Sequence, residues 1–171
     1  MDNFSLNHIK IAVFDFDDTL AIHDNKSWAK QRTDDYYIQA YLRPEDFYDS
    51  IEPCHPSKKL QKIIQFCRTN GIVMYCLSGM RFSLHYKAKE TFINEYYGTD
   101  VKLVSSASQE LKADVLHMLA KIHNCSKSEV LFVDDLPTNI SSLAELGYWA
   151  VNVNCIDDIE IPDFVQSEVS I

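Results

Sequence analysis

The chain has 171 residues, enough for one domain with a single packed core. Its 46% hydrophobic and 24% charged residues are those of a soluble globular protein, which excludes disordered, collagen-like and coiled-coil classes. The formal charge of −9 is lopsided: residues 128–171 hold nine acidic side chains and no Lys or Arg, while the other 16 acidic residues are balanced by 16 basic ones. An acidic surface of this kind repels nucleic acid and anionic membranes. If phosphate is handled here, the handling falls to a local cationic device.

In chain order, the first predicted strand is residues 9–16, an apolar run that ends in Asp15-Phe16-Asp17-Asp18. Residues 21–55 then break the pattern, with Trp28, Tyr36, Tyr37, Tyr41, Phe47 and Tyr48 set among charges; they read as a small cap-like insert. A helix follows over 58–70, where Leu60, Ile63, Ile64 and Cys67 keep the i, i+3, i+4, i+7 spacing and Gly71 is a stop. Residues 72–77 form the second strand. Leu84, Ala88, Phe92 and Tyr96 mark the second helix, ended by Gly98. Residues 101–104 form the third strand, and Val115, Leu116, Leu119 and Ile122 mark the third helix. Residues 130–133 form the fourth strand. Ile140, Leu143 and Ala144 mark the fourth helix, opened by Pro137-Thr138 and closed by Gly147; residues 149–153 form the fifth strand. Residues 155–171 read as an acidic, irregular tail.

Strands alternating with helices imply right-handed βαβ units and a parallel sheet. Strands that are apolar throughout imply burial on both faces. The expected fold is a doubly wound, Rossmann-like α/β domain of about five strands, filling residues 1–171. Five cysteines, an odd count without a C-x-x-C pair, argue for reduced structural thiols rather than disulfides or a zinc site. No signal-peptide pattern and no apolar run of membrane-spanning length is apparent, so the expected location is cytoplasmic.

In open α/β sheets a ligand sits outside the carboxyl ends of the strands. There the sequence places Asp15, Asp17 and Thr19 after strand one, Ser78, Gly79 and Arg81 after strand two, and Asp134 and Asp135 after strand four. Lys112 lies at the start of the helix after strand three. Each alone has a bland reading. The acids serve as caps or turn residues, Ser78-Gly79 as a turn, and Lys112 as a solvated residue that the helix dipole disfavours at that end. Together, so many like charges require a neutralising cation. Oxygen donors without clustered His or Cys select Mg²⁺.

In this order the motifs resemble those of the haloacid dehalogenase-like hydrolase superfamily, over about residues 9–153. The first motif appears as Val13-Phe14-Asp15-Phe16-Asp17-Asp18-Thr19-Leu20, and the second as Tyr75-Cys76-Leu77-Ser78-Gly79. Lys112 matches the third, and Val130-Leu131-Phe132-Val133-Asp134-Asp135 the fourth. The resemblance implies a Mg²⁺-dependent phosphatase acting on a phosphate monoester. Asp15 would be the nucleophile, carrying an aspartyl-phosphate, and Asp17 the general acid and base. Thr19, Ser78, Gly79 and Lys112 would hold the phosphoryl group. Asp15, Asp17 (through its carbonyl), Asp134 and Asp135 would hold the metal, with the direct ligand of the last two left open. Arg81 is a candidate for a second anionic group of the substrate.

Asp17 argues against a dehalogenase, whose leaving group needs no proton. A phosphotransferase or phosphomutase would share this chemistry but usually carries a larger cap than residues 21–55. A receiver domain places its acid pair early in the chain, the reverse of the order here. A non-catalytic phosphate-binding module on the same scaffold is separated only by turnover. The partner expected is a phosphorylated substrate of unstated identity, with neither nucleic acid nor membrane; His23 and His55 lie too far apart in sequence to argue for a metal site.

Overall fold

A computed structural model of the chain describes residues 6–22, 51–53, 58–80, 83–108, 111–159 and 161. Arg81, His23, His55, the aromatic residues of the insert and the end of the acidic tail lie outside the described residues.

Among the described residues the strands are β1 (Ile11–Asp15), β2 (Ala21–Ile22), β3 (Glu52–Pro53), β4 (Val73–Gly79), β5 (Val101–Ser106), β6 (Val130–Asp134) and β7 (Trp149–Asn152). The helices are α1 (Lys58–Thr69), α2 (Ser83–Tyr96), α3 (Lys112–Ile122) and α4 (Pro137–Glu145). Five strands pair in the order β5-β4-β1-β6-β7, all in parallel. β1 lies at the centre, and every residue of β1 and β6 is buried. The doubly wound expectation is met: Leu60, Ile63 and Cys67 of α1 and Phe92 and Ile93 of α2 pack with Ala12, Phe14, Met74 and Leu131 on one face. Leu116 and Leu119 of α3 and Leu143 of α4 pack with Val13, Leu77 and Phe132 on the other.

The ladders run further than the apolar runs that announce them. β4 continues to pair through Ser78 and Gly79, opposite Ser105 and Ser106 of β5, because sheet pairing uses backbone groups and tolerates small polar side chains at its rim. β1 stops sooner, at Asp15. Asp17 is therefore not a further strand residue two positions beyond Asp15; it makes an isolated bridge to Ala21 within a turn. There the amides of Leu20 and Ala21 both donate to the Phe16 carbonyl, and Asp18 adopts a positive φ of 57°.

β2 and β3 pair antiparallel, with Ala21 opposite Pro53 and Ile22 opposite Glu52. The insert that begins after β1 therefore leaves and re-enters the domain through one short ribbon. After β7, residues Val153–Asp158 form a 3-10 helix, and Ile156 and Ile159 are buried in the same core as α1. The first residues of the acidic tail are thus part of the packed domain. Cys67 and Cys76 are free and buried, as their apolar surroundings suggested. Among the described residues no helix is long and apolar enough to cross a membrane.

Candidate active site

The carboxyl rim of the sheet gathers the acids that the sequence scattered over 120 positions. Asp15 ends β1 and Asp134 ends β6, neighbouring strands in the sheet, so their carboxylates face each other across one gap. Lys112, in the first turn of α3, fills that gap. Its ammonium donates to Asp15 Oδ1 at 2.7 Å and to Asp134 Oδ2 at 2.8 Å, with all three side chains buried. A lysine at a helix start, unfavourable on dipole grounds, thereby finds two counter-ions. Burial alone would lower the Lys112 pKa, but the two aspartates outweigh it and raise the value.

Asp134 is the most firmly held acid. Its Oδ1 accepts the Leu136 amide at 2.8 Å, and its Oδ2 also accepts Asn139 Nδ2 at 2.9 Å. With three bonds accepted, roughly one of a carboxylate's four lone-pair sites remains. Asp135 is half-buried beside it, its carbonyl accepting Asn152 Nδ2 at 2.8 Å. One oxygen each of Asp15, Asp134 and Asp135 lies within 4.8 Å of the others.

This crowding carries an electrostatic signature. Burial, reinforced by Asp134 and Asp17 and opposed by Lys112, raises Asp15 to a pKa of about 7. Burial, with Asp134 and Asp18 adding repulsion, raises Asp135 to about 6. Three converging carboxylates, with the charge of Asp15 and Asp135 disfavoured by burial, fit a hard divalent cation: the donors are all oxygen, and the cation would remove the repulsion.

Asp17 is held apart from this trio. Its Oδ2 accepts Lys89 Nζ at 2.6 Å, and the same ammonium donates to Ser78 Oγ at 2.7 Å. Lys89 is buried and also lies 4.5 Å from the centre of the Phe16 ring. Thr19 is fully buried, and its hydroxyl has no hydrogen-bond partner among the described residues. Gly79 closes β4 opposite Ser106. The structure thus unites Asp15, Lys112, Asp134 and Asp135 in one group, and Asp17 with Ser78 in a second, through a residue the sequence reading missed.

Lys89 was missed because it stands in the charged stretch Lys87-Ala88-Lys89-Glu90, which reads as a solvated helix face. The buried face of α2 is instead His85, Ala88, Lys89, Phe92 and Ile93, and Tyr96 of the expected stripe is 42% exposed. The sequence assigns no role to Asn139, in the Pro137-Thr138-Asn139 run after the fourth motif, or to Asn152, within the fifth strand. The i+5 spacing of Asn139 from Asp134, across a helix start, was the one available signal.

No family model matches the chain, and no curated protein matches it in sequence. Solved structures do match it in shape. Phosphoserine phosphatase, in a phospho-aspartyl intermediate analogue, aligns with a TM-score of 0.54 at 16% identity, over 90% of this chain and 92% of that one. A haloacid dehalogenase-like hydrolase from Streptococcus pneumoniae aligns at 0.52 and 12%, over 84% and 83%. The fold is that of the haloacid dehalogenase-like hydrolases. The N-terminal, phosphatase-domain part of a Bacteroides fragilis protein, complexed with Mg, aligns at 0.57 and 13%. It covers 91% of this chain, which spans 42% of the length of that one. Within the haloacid dehalogenase-like fold, the acids described above occupy the carboxyl rim where doubly wound sheets bind ligands.

Proposed function

We propose that this chain is a Mg²⁺-dependent phosphatase that hydrolyses a phosphate monoester through an aspartyl-phosphate on Asp15, as one catalytic domain with residues 21–55 as a small insert. The observation that carries this reading is the Lys112 ammonium set between Asp15 and Asp134, with Asp135 completing a three-carboxylate group. Lys112 holds one oxygen of Asp15, which limits the carboxylate to few orientations and offers a positive charge to a phosphoryl oxygen alongside it. Asp15, Asp134 and Asp135, with the carbonyl of Asp17, would hold Mg²⁺, which when bound supplies neutralising charge for the carboxylates and the phosphoryl oxygens.

The proton and bond accounting falls to two acids. The Asp15 carboxylate attacks phosphorus; its new O–P bond forms as the ester O–P bond breaks, and Asp17 passes its proton to the departing alkoxide. Asp17, now a carboxylate, takes a proton from water, which attacks the same phosphorus. The acyl-phosphate O–P bond breaks, releasing inorganic phosphate and restoring both aspartates. Two carboxylates are needed because one is consumed as nucleophile while the other carries protons. Thr19 and Ser78 are read as hydroxyl donors to the phosphoryl group, Thr19 because its buried hydroxyl lacks a described partner.

The test is hydrolysis of a chromogenic aryl phosphate with Mg²⁺ and with EDTA, for wild type and Asp15→Asn. Activity that needs both Mg²⁺ and Asp15 supports the reading. Mg²⁺-dependent binding of beryllofluoride without turnover of any phosphate monoester in a metabolite panel would replace it with a phosphate-binding module.

A further inference from the structure

Lys89 differs from an ordinary buried lysine in what it touches. Lysines rarely bury their ammonium unless it is paired, because a desolvated charge costs several kcal/mol. The Lys89 side chain is only 2% exposed, yet the Asp17 side chain it meets is 44% exposed. A link between α2 and the sheet needs no such reach: Ser78, at the end of β4, and the Phe16 ring already lie against the same ammonium. These two contacts hold the Lys89 head within the rim, from which it also reaches the Asp17 carboxylate on the solvent side. Lysine has only donors. The Ser78 oxygen is therefore the acceptor in that bond, and its own proton points away from Lys89.

Resting on the phosphatase reading above, we propose that Lys89 is a positioning residue for proton transfer: it holds Asp17 by Oδ2 in the orientation from which the leaving group is protonated. Each reacting carboxylate then has its own buried ammonium, Lys112 for Asp15 and Lys89 for Asp17. Lys112 acts where phosphorus is attacked, and Lys89 acts through Asp17 where the ester oxygen departs.

The leaving group separates this role from a structural one. An alkyl phosphate needs a proton on its departing oxygen, whereas 2,4-dinitrophenyl phosphate releases a stable phenolate without one. In Lys89→Met, kcat/KM, which reports the steps up to leaving-group release and not the later hydrolysis of the aspartyl-phosphate, is expected to fall about 10²-fold for the alkyl phosphate, the scale of general acid catalysis, and under about tenfold for the dinitrophenyl ester. Asp17→Asn should show the same asymmetry, and adding Lys89→Met to Asp17→Asn should cost little more, since both changes remove one function. Lys89→Arg, which keeps a cationic donor, should restore part of the alkyl-phosphate rate. If Lys89→Met does not fold, Lys89→Gln serves in the same comparison. An equal loss on both esters, or full additivity with Asp17→Asn, would overturn the assignment while leaving the phosphatase reading intact. A wild type that hydrolyses neither ester, or an Asp15→Asn variant as active as wild type, would overturn the phosphatase reading and this assignment with it.

Discussion

The two ends of the sheet treat charge in opposite ways. At the amino end, before β1 and β6, Lys10 meets Glu129 at 2.8 Å with side chains 55% and 25% exposed. Before β5, Arg68 grips Asp100 with Nε at 2.6 Å and Nη2 at 2.8 Å, while Nη2 also donates to the Tyr97 carbonyl at the end of α2. Each cation there has one carboxylate, in reach of water. At the carboxyl end Asp15, Asp134 and Asp135 converge around Lys112, an excess of two formal negative charges within that group. Exposed pairs are worth little to stability, and a buried surplus costs it. The amino end is therefore arranged for the fold, and the carboxyl end is held against its own repulsion, which the cation of the proposed phosphatase would relieve.

The largest effect expected is on turnover. Asp15→Asn should lower Mg²⁺-dependent aryl phosphate hydrolysis by about 10⁴-fold or more, since no neighbouring group replaces a covalent nucleophile. Retained activity would remove the carboxyl end's claim to be the active site. Asp17→Asn should cost about 10²- to 10⁴-fold with Mg²⁺ binding preserved, which isothermal calorimetry would check.

Next comes Lys112→Ala, which leaves Asp15 and Asp134 buried without their cation. Thermal or urea unfolding at neutral pH should show a loss of about 3–5 kcal/mol, partly recovered by Mg²⁺. If the loss were under 1 kcal/mol, the contrast between the two ends would fail at its central contact.

The pH dependence should split the two ends by sign. Asp15 and Asp135 have folded pKa values raised to about 7 and about 6, chiefly by burial. The folded protein therefore favours their protonated forms. Their contribution is fully present below the unfolded value near 3.8 and is lost as pH rises through 6 to 7. In EDTA, the wild type should lose Tm over that rise, and Asp135→Asn should lose less of it. Asp100 behaves oppositely: its hydrogen bond to Arg68 lowers its pKa, so its contribution is present above the unfolded value and disappears only as pH falls below it. The smallest effect is at this pair: Asp100→Asn should cost under about 1 kcal/mol and less still in high salt.

The fold was legible because its signals are local. The apolar runs of β1, β4, β5, β6 and β7 and the spacing of Leu60, Ile63 and Cys67 follow from strand and helix periodicity, and Gly98 and Gly147 stop α2 and α4 at positive φ of 93° and 90°. Three acids of the rim were legible for a related reason: Asp15 and Asp134 end strands, Asp135 follows directly, and parallel order brings strand ends together. The orientation of Asp17 was not, because it depends on a turn rather than on strand alternation. Nor was the insert's ribbon, whose two short strands lie 30 residues apart.

By itself, then, the sequence determined which strands form the sheet, in which direction they run, and which carboxylates stand at its carboxyl rim, since periodicity and chain order suffice for these. Only the tertiary structure decided how that rim is charged. Lys112 reaches Asp15 across 97 positions, and Lys89 reaches Asp17 across 72. A lysine on an amphipathic helix looks the same in sequence whether its ammonium meets water or a buried acid. The strand it packs against settles that, and no local pattern encodes it.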